Sequence, residues 1–393
     1  MTEPTTAGTK VDVEPQFLDG VLVLAELLRR GATVDVLPRQ VLVVTDNQGN
    51  EGSFVVGIPG DAGLSAVTFS QDKRMRRALM ERAGVSIPKG ATFSVGRGQK
   101  LAASFSERVG FPVMVKPAVG DNAIETAFDV MNEEELQAVL EKLMVPPEER
   151  PGFTRAAYGL TELREPGVGK DGEVTVPAGY QFLVEKQPEG RYVRFLVIDR
   201  HLVNAVLCEG RPSDRSYAGG QDVTSRVGSA LREKVEKAAS VIPGVPVVAV
   251  DAIVRSLGDD TDDGSPVFVE FSERPGLFVQ RTFAENLAES LASRVVSSYM
   301  GASDDRTDGT QVDYSIEGHA VPDAQAALTA LREAGPKLGL EFSDLVAHQL
   351  AGVVKGRVSG AAFDVARFAD ALLDSRVAGI PVMLAVLTPA QTP

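Results

Sequence analysis

The chain has 393 residues and a formal net charge of −14, so its length favours two or three domains and its acidity argues against non-specific binding to nucleic acid. With 44% hydrophobic residues and no apolar run near membrane-spanning length, we expect a globular protein without a membrane partner. The first residues lack the basic and apolar sections of a secretory signal, and the single cysteine, Cys208, excludes an internal disulfide, so we expect a cytoplasmic location.

The N-terminal segment, residues 1–70, is predicted to form a small α/β unit behind a flexible tail. Residues 17–30 carry apolar side chains at helical spacing. Three strand-like runs come next, at Thr33–Leu37, Val41–Thr45 and residues 53–58.

The region that follows alternates helices and strands. Residues 72–83 have the pattern of a helix that stops at Gly84, and residues 111–116 form an apolar strand. A second helix begins after Asn132, which can cap its start while Glu135 occupies the capping-box position.

Residues 145–180 are rich in proline, glycine and charge, which predicts a long insertion or a mobile loop. Beyond them, helices are predicted at residues 226–242 and 283–299. The strand-like runs of this region are Gln181–Lys186, residues 192–199, His201–Cys208, Val247–Val254 and residues 267–271.

The last segment, residues 313–393, follows a polar stretch at residues 301–312 that we interpret as a linker. It alternates strand, helix, apolar segment, helix and strand, which indicates an additional α/β unit. The predicted domains are therefore residues 1–70, 71–300 and 313–393, and the predicted fold class is α/β in an α+β arrangement.

Two strand-like runs joined by an acidic loop carry the most informative side chains. If Val254 pairs with Val267, the same register places Asp251 opposite Glu270, with Ser272 on the same face as Glu270. Opposed carboxylates destabilise a sheet unless a cation lies between them, and oxygen ligands of this kind suit Mg²⁺. The alternative for such a pair taken alone is a solvent-exposed acidic face.

A metal site of this kind needs a phosphate-containing ligand, and two lysines are candidates to hold one. The sequence has neither a P-loop nor a glycine-rich dinucleotide motif, so isolated cations must bind the phosphates. Lys73 starts a predicted helix, and Lys116 ends an apolar strand, from which its ammonium can project beyond the sheet. Taken alone, Lys73 fits a solvated helix residue better than a ligand-binding one, whereas Lys116, with its apolar strand neighbours, fits either equally.

Seven segments follow one another in a recognisable order. They are Asp72-Lys73, residues 84–88, 110–117, 132–135, 184–194, 211–224, and the pair 250–251 with 270–277. In this order they resemble the ATP-grasp superfamily, and most closely the ATP-grasp part of cyanophycin synthetase. D-alanine–D-alanine ligase and glutathione synthetase are similar more distantly.

The resemblance implies an ATP-grasp fold with ATP and Mg²⁺ as cofactors. It implies an ADP-forming carboxylate–amine ligase that makes an amide or peptide bond through an acyl phosphate. From the same resemblance we expect small carboxylate and amine substrates, such as amino acids or peptides. We also expect a homodimer.

The resemblance also implies roles for individual residues. ATP phosphates would be held by Lys73 and Lys116. Mg²⁺ would be held by Asp251, Glu270 and Ser272. The hinge residues expected to contact adenine are Glu185, Lys186 and Gln187. The cations expected to stabilise the transferring phosphoryl group or to hold a substrate carboxylate are Arg194, Arg211 and Arg215.

Several positions depart from the family pattern. Ser272 replaces an asparagine, and residues 120–125 lack the run of glycines that lets backbone N–H groups approach phosphate. Pro188 has no N–H to offer adenine, Tyr192 stands where an acidic residue meets the ribose, and Phe278 replaces an arginine. These changes concentrate on the nucleotide side.

The departures keep two other hypotheses open. One is a degenerate ATP-grasp protein that serves as a non-catalytic binding or scaffold subunit. The other is a carboxylase-type enzyme that activates bicarbonate. Retention of Lys73, Lys116, Asp251 and Glu270 favours the ligase, because paired carboxylates have little use away from metal chemistry.

Overall fold

The computed structural model describes residues 13–120, 125–146, 149, 163, 167–168, 171–172, 174–175, 179–209, 219–258, 266–302, 311–373, 375–377 and 379–390. The chain divides into two compact units. The first joins Met1–Asp61 to Glu285–Pro393, and the second is Ala62–Ala284. No helix within the described ranges is both long and apolar enough to cross a membrane.

The strands are given in chain order. They are β1 (Thr33–Leu37), β2 (Val41–Thr45), β3 (Glu51–Val55), β4 (Ile58–Pro59), β5 (Gly90–Ser94), β6 (Val113–Pro117), β7 (Ala127–Val130), β8 (Gly167–Val168), β9 (Val174–Thr175), β10 (Gln181–Lys186), β11 (Arg191–Ile198), β12 (His201–Cys208), β13 (Gly220–Asp222), β14 (Val247–Val254), β15 (Val267–Ser272), β16 (Gln311–His319), β17 (Glu341–His348), β18 (Val353–Ala361) and β19 (Leu384–Pro389).

The α-helices follow the same convention. They are α1 (Leu18–Arg29), α2 (Leu64–Gln71), α3 (Lys73–Arg82), α4 (Gln99–Val109), α5 (Glu133–Met144), α6 (Ser229–Ala239), α7 (Phe278–Arg281), α8 (Glu285–Met300), α9 (Ala324–Leu338) and α10 (Ala362–Leu373).

The first unit is built on one eight-stranded sheet, with strand order β17-β18-β16-β19-β1-β2-β3-β4. Strands from the two ends of the chain meet at its centre, where β1 pairs antiparallel with β19 and Val34 lies opposite Leu387. Helix α1 is buried along its whole length. Strands of two segments predicted as separate units, residues 1–70 and 313–393, thus share one sheet. The sequence did not predict this pairing, because alternation along a strand does not specify its partner.

The C-terminal segment has more strands than the sequence pattern indicated. The predicted apolar segment between the two helices is an antiparallel strand pair, β17 with β18. The resulting order, strand-helix-strand-strand-helix-strand with spatial order β17-β18-β16-β19, is the split βαβ arrangement.

The second unit contains two antiparallel sheets. The smaller has the order β5-β10-β6-β7, and the larger has the order β13-β12-β11-β14-β15. Apolar side chains of β11, β14 and β15 pack with α6 on one face of the larger sheet. Helices packed on antiparallel sheets are the α+β arrangement, so this form of the predicted fold class is confirmed.

Most predicted elements of the second unit are present, but eight described elements were not predicted. Strands β10, β12 and β14 have the predicted bounds, and Asn132 caps α5 by accepting from the Glu135 N–H at 2.9 Å. The elements that were not predicted are β5, β7, β8, β9, β13, α2, α4 and α7, because segments this short give weak periodicity. The predicted insertion at residues 145–180 lies mainly outside the described residues.

Candidate active site

The β14–β15 hairpin places the two predicted metal carboxylates opposite each other. Asp251 pairs with Glu270, as predicted. The assumed pairing of Val254 with Val267 is wrong, because Ile253 takes that place after a register shift next to Asp251. The shift is a β-bulge, which inserts one extra residue into β15.

The bulge residue is Val269, and it decides which side chains of β15 share a face. Phe268 and Phe271 pack into the apolar core against α6. Val269 belongs to a separate apolar cluster on the opposite side of the sheet. Since Glu270 precedes Phe271, alternation places its carboxylate on the same side as Val269. Bulges commonly re-aim side chains beside functional sites.

Glu270 is held as a carboxylate by a neighbouring arginine. Its side chain is 2% exposed and forms an ion pair with Arg76 of α3. Burial alone would raise the pKa of Glu270, but the charges of Arg76, Lys73 and Lys116 outweigh it and lower the pKa to about 2. The carboxylate is therefore ionised at neutral pH and is surrounded by cations.

Asp251 is paired with Arg194, its cross-strand neighbour on β11. The Arg194 Nε and Nη2 donate to the two carboxylate oxygens at 2.7 and 2.9 Å, and both residues are 1% exposed. Burial and the Asp251 charge raise the pKa of the nearby Cys208 thiol to about 12, so this thiol is protonated and is a poor nucleophile.

Ser272, the third predicted metal ligand, is buried at the end of β15 opposite Ala249. Its hydroxyl accepts a hydrogen bond from the Arg274 N–H at 3.2 Å. The oxygen lies on the strand that carries Glu270, two residues further along. Alternation places it on the face of the sheet that carries Glu270.

Lys116 ends β6 and is 3% exposed. Its ammonium lies 2.6 Å from the Glu185 Oε2 and donates to the Val269 carbonyl at 3.1 Å. Arg77 of α3 contacts the other Glu185 oxygen at 2.9 Å. Glu185 lies here between two cations, and its contact with adenine stays a prediction.

Lys73 is the first residue of α3 and is 2% exposed. Asp72 caps this helix by accepting from the backbone N–H groups of Arg74 and Met75. The Lys73 ammonium donates to the Gly120 carbonyl at 2.9 Å, at the start of the predicted phosphate loop. Residues 121–124 of that loop lie outside the described residues.

Two other predicted site residues, Lys186 and Gln187, make their side-chain hydrogen bonds outside this cluster. The Lys186 ammonium donates to the Phe111 carbonyl at 2.9 Å. The Gln187 side chain exchanges hydrogen bonds with Asp129, with its amide nitrogen 2.7 Å from the carboxylate. Arg211 and Arg215 lie outside the described residues.

Two arginines of the site were not predicted from the sequence. Arg76 and Arg77 stand three and four positions after Lys73 on α3, a spacing that places all three on one helix face. Arg76 pairs with Glu270, and Arg77 pairs with Glu185. This spacing was visible in the sequence and is the signal that could have identified them.

The cluster is rich in basic side chains. Within the described part of the chain, five basic side chains gather around three buried carboxylates, and Arg77 also pairs with Glu81 at 3.0 Å. The basic members are Lys73, Arg76, Arg77, Lys116 and Arg194, and the acidic members are Glu185, Asp251 and Glu270. An anionic ligand is the natural complement of such a cluster.

A cavity of about 410 Å³ adjoins the cluster and lies between the two sheets of this unit. The smaller sheet contributes Met114 and Phe128, and the larger contributes Tyr192 and Ile253. Val269 joins the cavity to the cluster, because its side chain lines the cavity while its carbonyl accepts from Lys116. The apolar walls and the adjacent cations suit a ligand with a flat apolar part and an anionic tail.

The donor set at the hairpin suits a hard divalent cation. Asp251 and Glu270 supply carboxylate oxygens on adjacent strands, and Ser272 adds a hydroxyl. Mg²⁺ is commonly held by one or two carboxylates and completes its shell with water and phosphate oxygens. Among the described residues no group of three or more His, Cys, Asp or Glu side chains is placed to hold a metal. The residues therefore fit Mg²⁺ only together with oxygen atoms from a ligand.

Sequence comparison finds relatives over about half of the chain. The chain is 29% identical over 196 residues to the carbamoyl phosphate synthase large chain of Thermus thermophilus, which covers 47% of this chain and 18% of that protein. The same protein of Myxococcus xanthus is 29% identical over 136 residues, covering 32% and 12%. The chain thus spans less than a fifth of either relative's length. No protein-family model matches.

Solved structures with a similar arrangement are more distant. D-alanine–D-alanine ligase from Bacillus anthracis complexed with ATP has a TM-score of 0.41 at 15% identity, covering 62% of this chain and 67% of that one. A bifunctional glutathione synthetase from Pasteurella multocida has a TM-score of 0.40 at 13% identity, covering 66% and 40%. The ATP-grasp ligase PsnB has a TM-score of 0.39 at 15% identity, covering 60% and 63%. Likenesses this low carry no argument about activity.

The resemblance to ATP-grasp proteins is confirmed by the carbamoyl phosphate synthase relatives, which are ATP-grasp proteins. The closer likeness to cyanophycin synthetase stays a prediction.

Proposed function

We propose that this chain is an ATP-dependent carboxylate–amine ligase that releases ADP and phosphate. The observation that carries the proposal is the cationic cluster with its two facing carboxylates, Asp251 and Glu270, beside a cavity of about 410 Å³. A nucleoside triphosphate has the matching form, with a flat base for the cavity and an anionic tail for the cluster.

The residues of the cluster divide into three roles under this proposal. Lys73 and Lys116 hold phosphate oxygens, since both ammonium groups are buried and both lie close enough to Glu270 to lower its pKa. Asp251 and Glu270 hold Mg²⁺, which neutralises charge at the phosphates when it is bound. Arg194, fixed by Asp251, provides a further cation for the transferring group.

The reaction itself follows from the chemistry of carboxylates and triphosphates. A substrate carboxylate oxygen attacks the terminal phosphorus, the bond from that phosphorus to the ADP oxygen breaks, and an acyl phosphate forms. An amine then attacks the acyl carbon and expels phosphate, which gives an amide and releases one proton. Positioning and charge stabilisation supply most of the acceleration in such transfers.

Amino acids or small peptides are the substrates we propose, with cytoplasmic location and a homodimer as further expectations.

A second candidate is favoured by the sequence relatives, which are named as carbamoyl phosphate synthases. Bicarbonate would then take the place of the substrate carboxylate and ammonia that of the amine. Both candidates begin with the same phosphoryl transfer and differ in the carboxylate that accepts the phosphoryl group and in the amine.

The non-catalytic alternative makes a different energetic demand. Burying two carboxylates and their arginines costs several kcal/mol per ion unless the pairing repays it. A non-catalytic scaffold could fill the same buried positions with apolar side chains. The presence of Asp251 and Glu270, which are only 1% and 2% exposed, therefore supports a site that uses their charge.

An ADP-release screen tests the proposal. The full chain with ATP and Mg²⁺ would be supplied with amino acids in pairs, with single amino acids plus ammonia, and with bicarbonate plus ammonia. Mass detection would identify any ligated product. We expect ADP release that depends on one of these substrate pairs, at a rate that falls at least about 100-fold in Glu270→Gln. An unchanged rate in Glu270→Gln, with Glu233→Gln on the exposed side of α6 as the control, would refute the assigned site.

A further inference from the structure

The side chain of Glu185 lies apart from the cavity proposed to hold the base. It is 4% exposed and lines a small cavity of about 20 Å³ together with Lys116 and Arg77. The described residues that line the cavity of about 410 Å³ include its neighbours Gln187 and Pro188 but not Glu185. The Glu185 carboxylate is therefore placed among cations and not against the walls of the larger cavity.

The register of the smaller sheet brings Glu185 and Lys116 together. Glu185 pairs with Met114 of β6, and Lys116 stands two positions beyond Met114 on the same face of the sheet. Diagonal neighbours of this kind are within reach of long side chains, and the Glu185 Oε2 lies 2.6 Å from the Lys116 Nζ. Because both side chains are buried, this ion pair is a built part of the site.

Two further residues hold the Glu185 side chain in place. Arg77 contacts its Oε1 at 2.9 Å. Gly90 of β5 lies opposite Glu185, and a Cβ at residue 90 would lie 2.5 Å from the Glu185 Cγ. A larger residue at this position would displace Glu185, so the glycine provides the space in which the side chain packs.

The Lys116 ammonium has three N–H donors, and the described residues engage two of them. One meets the Glu185 carboxylate, and another donates to the Val269 carbonyl at 3.1 Å. Val269 is the bulge residue of β15, so this second acceptor comes from the larger sheet. With two donors fixed, the tetrahedral ammonium has one direction left for a ligand oxygen.

We infer that Glu185 is a positioning residue for phosphate binding, because its carboxylate holds the Lys116 ammonium so that the remaining N–H meets a phosphate oxygen of the nucleotide. This inference rests on the proposed function. Under it, the Glu185 side chain serves the triphosphate, and contact with the base falls to other residues.

Calorimetric titration of the full chain with ATP and with inorganic tripolyphosphate, each with Mg²⁺, tests the inference. Glu185→Asp keeps the charge but withdraws the carboxylate by one methylene. We expect both dissociation constants to rise by the same factor, at least about fivefold. Gly90→Ala, which displaces Glu185 without changing any charge, should act in the same direction. Glu233→Asp on the exposed side of α6 is the matched control and should leave both constants unchanged.

A compensating variant separates positioning of Lys116 from a purely structural role of Glu185. Arginine has a longer side chain than lysine and binds carboxylates well. Lys116→Arg combined with Glu185→Asp should therefore restore the contact and recover tripolyphosphate affinity at least about threefold relative to Glu185→Asp alone. A structural role of Glu185 elsewhere in the fold would not respond to a change at residue 116.

The outcomes separate this inference from the proposed function. The positioning role is overturned if Glu185→Asp weakens ATP but not tripolyphosphate, if it leaves both unchanged or bound more tightly, or if the double variant shows no recovery. Each of these results leaves the nucleotide site in place. Absence of binding of ATP and tripolyphosphate alike by the unaltered chain removes the phosphate site itself, and the inference falls with it.

Discussion

Burial and charge act on Glu270 in opposite directions, and the outcome decides what this carboxylate can do. Desolvation favours the neutral acid, but Arg76, Lys73 and Lys116 favour the anion and prevail. A carboxylate that stays ionised while buried is ready to accept a cation. The sequence located this residue by strand alternation, but it did not reveal the Arg76 counter-charge, which comes from a helix about 190 residues earlier in the chain.

The ionisation of Glu270 makes a defined contribution to stability across pH. Its pKa falls from 4.5 to about 2 on folding, so its stabilising effect is complete above pH 4.5 and is lost as the pH falls toward 2. The difference in unfolding free energy between the unaltered chain and Glu270→Gln should therefore be constant down to pH 4.5 and shrink below it. Urea unfolding across this range measures it. A difference that changed mainly between pH 6 and 8 would contradict the assignment.

Arg76 should matter more to stability than its neighbour Arg77. Arg76→Met leaves Glu270 buried without its paired arginine, and breaking such a buried pair costs about 3–5 kcal/mol. Arg77→Met should cost less, because Glu185 keeps Lys116 as a partner. Denaturant unfolding of both variants provides the comparison. Equal losses would show that Arg76 has no special role at Glu270.

The site depends on how a few elements end. Helix α3 begins at Lys73 and directs one face toward the cluster, β6 ends at Lys116, and β15 contains the bulge beside Glu270. Propensity and periodicity predicted the helix and both strands. The bulge could not be predicted, because alternation over residues 267–271 fits a regular strand as well as a bulged one.

The turn after β15 controls the position of Arg194. Gly276 has φ +69°, and a Cβ at this position would lie 2.8 Å from the Arg194 Nη1. Gly276→Ala should therefore combine backbone strain of about 1–2 kcal/mol with displacement of the arginine that holds Asp251.

Gly84→Ala is the matched control for this change. Gly84 has φ +64° with no atom within 4 Å of the added Cβ, so it should suffer the backbone strain alone. Thermal unfolding should show a loss of stability in both variants and the larger loss in Gly276→Ala, whereas nucleotide binding should fall only in Gly276→Ala. Equal nucleotide affinity in the two variants would show that the position of Arg194 does not affect nucleotide binding.

The chain closes on itself in the first unit, where its two ends share a sheet. Tyr314 of β16 illustrates this, since its hydroxyl donates to the Leu28 carbonyl at 2.7 Å at the end of α1. The sequence indicated a strand and a helix at these positions but not their contact. Tyr314 and Leu28 lie 286 residues apart, and local sequence patterns do not predict which distant elements pack together.

Removing the Tyr314 hydroxyl tests this closure in the full chain. Tyr314→Phe removes the hydrogen bond from the hydroxyl to the Leu28 carbonyl, which keeps the Gly31 N–H as a donor, so the cost should be about 0.5–1.5 kcal/mol. Hydrogen exchange followed by mass spectrometry should show faster exchange in peptides from α1, with peptides from β11 as an internal control. Unchanged exchange in α1 would mean that the C-terminal segment behaves as a separate unit.

The central claim concerns the buried cations of the second unit and the nucleotide they bind. Calorimetric titration with ATP and Mg²⁺ tests it most directly, comparing the unaltered chain with Lys116→Met and with the exposed-surface control Lys100→Met. We predict saturable binding with a dissociation constant of roughly millimolar or tighter, weakened at least about tenfold in Lys116→Met and unchanged in Lys100→Met. No detectable binding to the unaltered chain at roughly millimolar ATP would contradict the account.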